Sequence, residues 1–209
     1  MKTISGYEKY IEGSAFEERS QRLVYLTPPH APSIVTSISS NGEINVGTFE
    51  QTMLCSNWPA IMTLAISPKS DTLRNLQQDG ECVIGFPYPE NLQMAYDAGV
   101  RLAYGKSELG LLQGVTTRAS TIVQPPHLEQ CWLSMEGRLM WEKKAGDHHI
   151  CAVEILRVVF DERYWDDDRV VRRCGLPVAY YATSGAFFFD GSWKRIDLSD
   201  AVKNVEHSG

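Results

Sequence analysis

The sequence predicts a mainly β fold of one domain, with its strands arranged as a closed or half-closed barrel and a few short flanking helices. At least six short stretches have the apolar and β-branched content that is typical of strands. Helical spacing is confined to two short segments, and no repeat period or low-complexity linker is present. A barrel suits many short strands because closure removes exposed strand edges.

The first strands are predicted between residues 33 and 67. Residues 33–39 are rich in β-branched side chains, Ser40-Asn41-Gly42 is turn-forming, and residues 43–47 are again extended, so we predict a hairpin. The small polar residues that follow, at 48–58, read as a loop before the next strand. Residues 60–67 form a nearly continuous apolar run of strand length.

Two helices are predicted after this apolar run. Residues 71–78 have Asp71 as a suitable N-cap and carry Leu73 and Leu76 on one helical face. Residues 91–104 have apolar side chains at helical spacing. The remaining predicted strands are residues 81–86, 120–123, 131–141 and 149–160.

Length and charge limit the classes of function. A chain of 209 residues with 43% hydrophobic content can bury one good core. We predict one domain over residues 1–209, with a core at about 30–162 and a C-terminal extension at 163–209. The net charge of −6 argues against the broad basic face that binding to nucleic acid or to an anionic membrane needs. An anionic ligand would therefore need a local pocket.

The chain is expected to be cytoplasmic. Residues 1–22 contain no apolar run, which argues against a signal peptide or an anchor, and no stretch approaches the roughly 20 apolar residues that span a bilayer. The cysteines are odd in number and lack a Cys-x-x-Cys pair, which suits a reducing compartment and argues against a zinc site. Cys55 has no charged neighbour in sequence and is interpreted as a small buried hydrophobe. The five cysteines are Cys55, Cys82, Cys131, Cys151 and Cys174.

Three loops could carry chemistry. The polar stretch after Gly47 offers amides and hydroxyls for a phosphate-bearing ligand, although an ordinary polar loop has the same composition. Residues 67–75 lead from a strand into a helix N-terminus, which is a sensible anion site or simply a capped surface helix. His148 lies in a predicted turn at 146–149, where it could relay a proton or remain solvated.

The order and spacing of these loops resemble the flavin reductase-like family. The resemblance covers about residues 32–160. It rests on Ile34-Val35-Thr36, on Asn45-Val46-Gly47, on residues 69–75 (Lys-Ser-Asp-Thr-Leu-Arg-Asn), and on the Gly-Asp-His turn at 146–148.

The resemblance implies an FMN-binding split β-barrel of Greek-key type that works as a homodimer with one flavin per subunit. FMN is the expected cofactor, with FAD as the alternative, and NADH or NADPH is the expected hydride donor. In such proteins the flavin carries the electron chemistry while the protein supplies position and electrostatics. The residues implied to face the ring or the ribityl chain are Gly47, Thr48, Gln51 and Thr52; those implied to hold the phosphate are Ser56, Lys69, Ser70 and Thr72; His148 is implied near the site of hydride delivery.

The sequence departs from the family pattern at several positions. Glu50 stands where relatives commonly have a small residue, and Val153 replaces the usual glycine. A Glu50 beside the flavin could act as a catalytic acid or base, whereas a Glu50 that points outward and pairs with an arginine would have no catalytic part. The C-terminal extension is rich in aromatic residues that could cover the pocket or pack across a dimer. These are Trp165, Phe187, Phe188, Phe189 and Trp193.

The leading functional hypothesis is an FMN-dependent oxidoreductase that takes hydride from reduced nicotinamide and passes electrons to an acceptor. One alternative is a specialised flavoenzyme that oxidises or reduces a particular small metabolite, which Glu50 and the aromatic extension favour. A flavin-binding electron carrier is another. A haem-binding or pyridoxamine-phosphate-oxidising split barrel remains as well, because a fold does not fix a function.

Overall fold

The computed structural model describes residues 30–164, three short strands between residues 180 and 195, and residue 203. The strands are β1 (Ser33–Ile38), β2 (Ile44–Phe49), β3 (Thr52–Asn57), β4 (Ala60–Ile66), β5 (Glu81–Pro87), β6 (Thr117–Arg118), β7 (His127–Leu128), β8 (Cys131–Ala145), β9 (His148–Phe160), β10 (Tyr180–Ala182), β11 (Ala186–Phe189) and β12 (Ser192–Arg195). The α-helices are α1 (Asp71–Asp79) and α2 (Leu92–Asp97), and single 3-10 turns occur at Pro89–Asn91, Glu108–Gly110 and Glu162–Tyr164. Our predictions for residues 1–22 and for Trp165 lie outside the described residues.

Seven strands form one antiparallel sheet in the order β2-β1-β5-β8-β9-β4-β3. The long strands β8 and β9 join its two halves, and their register shifts between Glu136 and Gly137 and again between Leu139 and Trp141. Such bulges bend a strand and increase its twist, which lets the sheet curl around a core. At the first bulge a Cβ on residue 137 would lie 2.5 Å from Val153 Cγ1, so only glycine allows β8 and β9 to approach this closely.

The core has two parts, because β1 is covered on both faces. Val35 points into the curled sheet, where it packs with Leu64 and Ile84. Ile34 points the opposite way and packs with Val46 and with Ala95 of α2. α2 and the chain after it therefore hold the outer face of the β1–β2 hairpin, which is the element that leads into the candidate site.

The structure confirms most of the predicted elements. The 33–47 hairpin is present with Ser33 opposite Phe49 and Ile38 opposite Ile44. The apolar run after Pro59 is β4, and the next helix and strand are α1 and β5. The two long C-terminal strands of the core are also present, with β8 four residues longer and β9 one residue longer than predicted, both towards the shared turn at Gly146. The predicted mainly β class with a few short helices is therefore correct.

Four local predictions were wrong. The polar stretch was predicted as a loop, but it contains β3, an edge strand that pairs with β4. The second helix ends at Asp97, where Ala98 and Gly99 lead into irregular chain. Residues 120–123 form bends, because the backbone N–H groups of Thr121 and Ile122 donate to the buried carboxylate of Glu136 instead of to a strand. Ser70 rather than Asp71 is the N-cap of α1.

The interpretation of Cys55 as a buried residue was also wrong. Cys55 is exposed on β3, whereas Cys82 and Cys151 are buried as free thiols. The difference follows from the position of β3 at the end of the sheet, where nothing in the described chain covers its outer side. Within the same described residues, no helix has the length and apolar character needed to cross a membrane.

Candidate functional site

A cavity of about 410 Å³ lies where the end of β2, the start of α1 and the chain after α2 meet. This volume falls within the range of about 300–1,000 Å³ that is typical of small-molecule sites. Residues 45–51 form one wall, Ser67 and residues 69–72 form the second, and residues 98–102 form the third. Ala65, Glu108 and His148 complete the lining.

The α1 wall is suited to an anion. Ser70, the N-cap, has an extended backbone, and its side chain makes no capping hydrogen bond, so its hydroxyl remains free for a ligand. Thr72 and the exposed Lys69 line the cavity beside it. The unpaired amides and the dipole of the helix N-terminus favour negative charge at this point. A phosphate would find a cation, two hydroxyls and a helix end together.

Gly47 allows β2 to lie close against α1. A Cβ at this position would be 2.9 Å from Thr72 Oγ1 and 3.0 Å from the ring of Phe49. Real Cβ atoms do not approach other atoms so closely, so a larger residue would displace the Thr72 hydroxyl or the ring. The small residue therefore positions the two walls of the cavity against each other.

Glu50 lies near the C-terminal end of the β2 wall and is half-buried. Its removal from water raises the pKa of the carboxyl from 4.5 to about 7. Within the described part of the chain, no arginine or lysine forms an ion pair with it. A carboxyl with such a pKa can both hold and release a proton near neutral pH, as a general acid or base must.

Glu108 is a second carboxyl in the cavity lining and is only 4% exposed. Its Oε2 accepts a hydrogen bond of 2.8 Å from the backbone N–H of Val46, while the Ser107 hydroxyl donates to the Ile44 carbonyl. These two residues therefore supply hydrogen-bond partners for one N–H and one carbonyl on the edge of β2. Burial raises the pKa of Glu108 to about 7, although the hydrogen bond from Val46 acts in the opposite direction.

His148 lines the cavity from the turn between β8 and β9. Its Nδ1 lies 2.9 Å from Oδ1 of Asp147, and this hydrogen bond lowers the pKa of Asp147. An ionised carboxylate can only accept, so Nδ1 carries the hydrogen and Nε2 is left for a ligand. The next residue, His149, points the other way and contacts Glu142.

The comparisons with known proteins agree with this architecture. The model of the family described as "Flavin reductase like domain" matches residues 27–184. The chain belongs to this family. A protein of Archaeoglobus fulgidus, described only as uncharacterized, is 27% identical over 144 residues, which are 69% of this chain and 79% of that protein.

Solved structures share the split-barrel fold of this flavin reductase-like chain. A Shewanella frigidimarina protein assigned as a flavin reductase with a split barrel domain has a TM-score of 0.77 at 14% identity, covering 94% of this chain and 100% of its own. The 2-nitrobenzoate 2-nitroreductase NbaA of Pseudomonas fluorescens has a TM-score of 0.76 at 17% identity, covering 92% of this chain and 96% of its own. Nitrilotriacetate monooxygenase component B of Bacillus cereus has a TM-score of 0.73 at 15% identity, covering 94% of this chain and 98% of its own.

The structure brings together all but two of the site residues predicted for this flavin reductase-like chain. Thr52 and Ser56 do not line the cavity. Thr52 Oγ1 lies 2.6 Å from the Ser33 hydroxyl, and Ser56 follows a bulge in β3. Both were assigned to the site by the resemblance to the family, whereas the structure places them on β3, outside the cavity lining. The predicted residues that do line the cavity are Gly47, Thr48, Glu50, Gln51, Lys69, Ser70, Thr72 and His148.

The predicted site residues did not include Glu108 or any residue of the 98–102 wall, such as Arg101. The wall was hidden because residues 91–104 were predicted as one helix; the Ala98-Gly99 pair was the available signal for an earlier end. Glu108 lies in a short 3-10 turn far along the chain from β2, and no local pattern could have indicated its contact with Val46.

Proposed function

We propose that this protein is an FMN-dependent oxidoreductase and that its cavity holds the flavin. The observation that carries the proposal is that the predicted loops line one cavity of suitable size. Hydrogen-bond donors lie at the start of α1, and the titratable side chains of Glu50 and His148 lie in the other parts of the lining. The phosphate is assigned to Lys69, Ser70 and Thr72. The ring is assigned to the β2 wall, because residues 47–51 line the cavity there.

The side chains supply binding, orientation and proton transfer. When bound, FMN would supply the chemistry of accepting hydride from NADH or NADPH and passing electrons to an acceptor. Lys69, Ser70 and Thr72 neutralise and orient the phosphate by charge-assisted hydrogen bonds. Glu50 holds or releases a proton near neutral pH, and His148, whose Nδ1 is held by Asp147, lines the same cavity.

A second candidate is a specialised flavoenzyme that acts on one organic substrate, and Glu50 favours it. A half-buried carboxyl with a pKa of about 7 and no ion-pair partner among the described residues is costly in a protein that only passes electrons, but useful where a substrate must be protonated or deprotonated. The fold does not decide between the two, because the solved structures include both a monooxygenase component and a nitroreductase.

We further propose a homodimer. On β3 and its turn, Met53 is 63% exposed, Leu54 53% and Trp58 95%, and β3 is an edge of the sheet. Large apolar side chains grouped on a strand edge favour association over exposure to water. A second copy of the chain is the occupant we propose, because a two-fold interface buries the same patch on both subunits.

The purified protein tests the proposed function directly. We expect flavin absorption bands that are released as FMN on denaturation, or, for protein purified without cofactor, saturable binding of added FMN. Steady-state oxidation of NADH or NADPH with FMN supplied then separates a general reductase from the specialised enzyme and the electron carrier. Absence of FMN binding to correctly folded protein contradicts the proposal.

A further inference from the structure

A network of four buried polar side chains lies behind the α1 wall of the cavity. The side-chain amide of Asn45 donates from Nδ2 to the Thr72 hydroxyl at 2.9 Å and to the Ser37 hydroxyl at 3.1 Å. The amide of Asn75 donates to the same Ser37 hydroxyl at 3.0 Å. Asn45 is 6% exposed, and the other three are at most 1% exposed. Only Asn45 and Thr72 line the cavity.

The network fixes the direction in which the Thr72 hydroxyl donates. A hydroxyl has one hydrogen and two lone pairs. Because Thr72 Oγ1 accepts from Asn45, its hydrogen must find an acceptor elsewhere. No hydrogen bond within the described residues uses that hydrogen. The cavity beside Ser70 and Lys69 is the place where an acceptor can reach it.

Further hydrogen bonds, made by Ser37, Asn75 and Tyr104, fix the orientation of the Asn45 amide. Tyr104 donates its hydroxyl hydrogen to Oδ1 of Asn75 at 3.4 Å, which turns Nδ2 of Asn75 towards Ser37. The Ser37 hydroxyl then accepts from both asparagines. If the Asn45 amide turned round, a buried amide group would lose its partner, and buried polar groups without partners are strongly disfavoured.

We propose that Asn45, supported by Ser37 and Asn75, is a positioning residue that keeps the hydrogen of the Thr72 hydroxyl directed at a phosphomonoester oxygen of the ligand. The inference rests on the proposed function and extends it to residues that need not touch the ligand. A hydroxyl locked as a donor favours a phosphate, whereas one free to rotate could present a lone pair to it. The network is therefore a determinant of selectivity for FMN over riboflavin.

The test is the ratio of the riboflavin and FMN dissociation constants, measured by titration of flavin fluorescence. Thr72→Val removes the hydroxyl, and we expect FMN affinity to fall about ten- to a hundredfold while riboflavin affinity stays within about threefold. Thr72→Ser keeps the hydroxyl and should remain close to the parent. A purely structural role for Thr72 would weaken both flavins equally and would overturn the inference.

Asn45→Asp tests the positioning step. A carboxylate at residue 45 would accept the hydrogen of the Thr72 hydroxyl, which would then no longer be available to the ligand. A double-mutant cycle with Thr72→Val separates this effect from direct repulsion between the new charge and the phosphate. We expect the loss of FMN affinity caused by Asn45→Asp to be much smaller in the Thr72→Val background than in the parent. An equal loss in both backgrounds would mean that Asn45 does not act through Thr72.

Ser37→Ala provides an uncharged second variant if Asn45→Asp does not fold. It removes the support for the Asn45 amide and lies outside the cavity, so we expect a smaller loss that is again confined to FMN. An unchanged affinity ratio in Ser37→Ala and in Thr72→Val overturns the inference while leaving the proposed function intact. Failure of the folded parent to bind FMN instead contradicts the proposed function.

Discussion

Replacing Glu108 with glutamine should remove a pH dependence of stability that the parent protein has. In the folded state Oε2 of Glu108 accepts from the Val46 N–H at 2.8 Å, and a glutamine carbonyl can accept the same hydrogen bond. Burial raises the pKa of the carboxyl from 4.5 to about 7. The substitution therefore removes the titration and keeps the contact that satisfies the edge of β2.

The sign follows from proton linkage. Between pH 4.5 and 7 the folded protein binds a proton at Glu108 more tightly than the unfolded chain does. The stabilisation from this group is therefore fully present below the unfolded pKa and is lost as pH rises through the folded pKa. One pKa unit corresponds to about 1.4 kcal/mol, so the shift corresponds to an upper bound of about 3.5 kcal/mol of stability lost between pH 4 and pH 8.

Urea unfolding of parent and Glu108→Gln at pH 5 and pH 8 measures the effect. We expect the variant to gain about 1–3 kcal/mol relative to the parent on going from pH 5 to pH 8. Subtracting the two proteins removes the contribution of Glu50, which titrates in the same range. Glu43→Gln is the matched control, because Glu43 is an exposed carboxylate in the β1–β2 turn and should leave the difference unchanged. A relative stability of Glu108→Gln that is independent of pH would mean that the pKa of Glu108 is not raised in the folded protein.

Three further predictions concern the site and the assembly. Lys69→Ala should weaken FMN binding about ten- to a hundredfold and change riboflavin binding little, because it removes a charge-assisted phosphate contact; equal FMN affinity in titrations of mutant and parent would rule Lys69 out as a phosphate ligand. If Glu50 transfers a proton, Glu50→Gln with flavin fully bound should lower the turnover of an organic substrate about a hundredfold or more. Unchanged turnover in steady-state assays would instead favour a simple flavin reductase. Light scattering at micromolar concentration should give a dimer for the parent and more monomer for Leu54→Asp, since a charge would be placed in the proposed interface; a monomeric parent would count against the homodimer.

The sequence predicted elements whose signals are local. The hairpin at Ser40-Asn41-Gly42, the apolar run of β4 and the N-terminus of α1 each depend on residues next to one another in the chain, and each was located within a few residues. The predicted site residues that proved to line the cavity lie beside these elements. Local pattern was enough because turns and helix ends are determined by nearby side chains.

The missed features depend on contacts between distant parts of the chain. In β3 the apolar residues are consecutive and do not alternate with polar ones as in a typical half-buried strand, and the segment is a strand because β4 offers it a pairing edge. Residues 120–123 have β-branched content, but the Glu136 carboxylate takes their amide hydrogens. Glu108 reaches Val46 across 62 positions of sequence. Such contacts are determined by tertiary packing, which a single sequence does not display.

A crystal structure of the protein with FMN would show where the flavin binds. We expect one flavin in the cavity beside β2, with its phosphate within hydrogen-bonding distance of the Ser70 and Thr72 hydroxyls and of the Lys69 ammonium, and with its ring along residues 47–51. A flavin bound elsewhere, or bound in this cavity with its phosphate away from the N-terminus of α1, would contradict the proposed site.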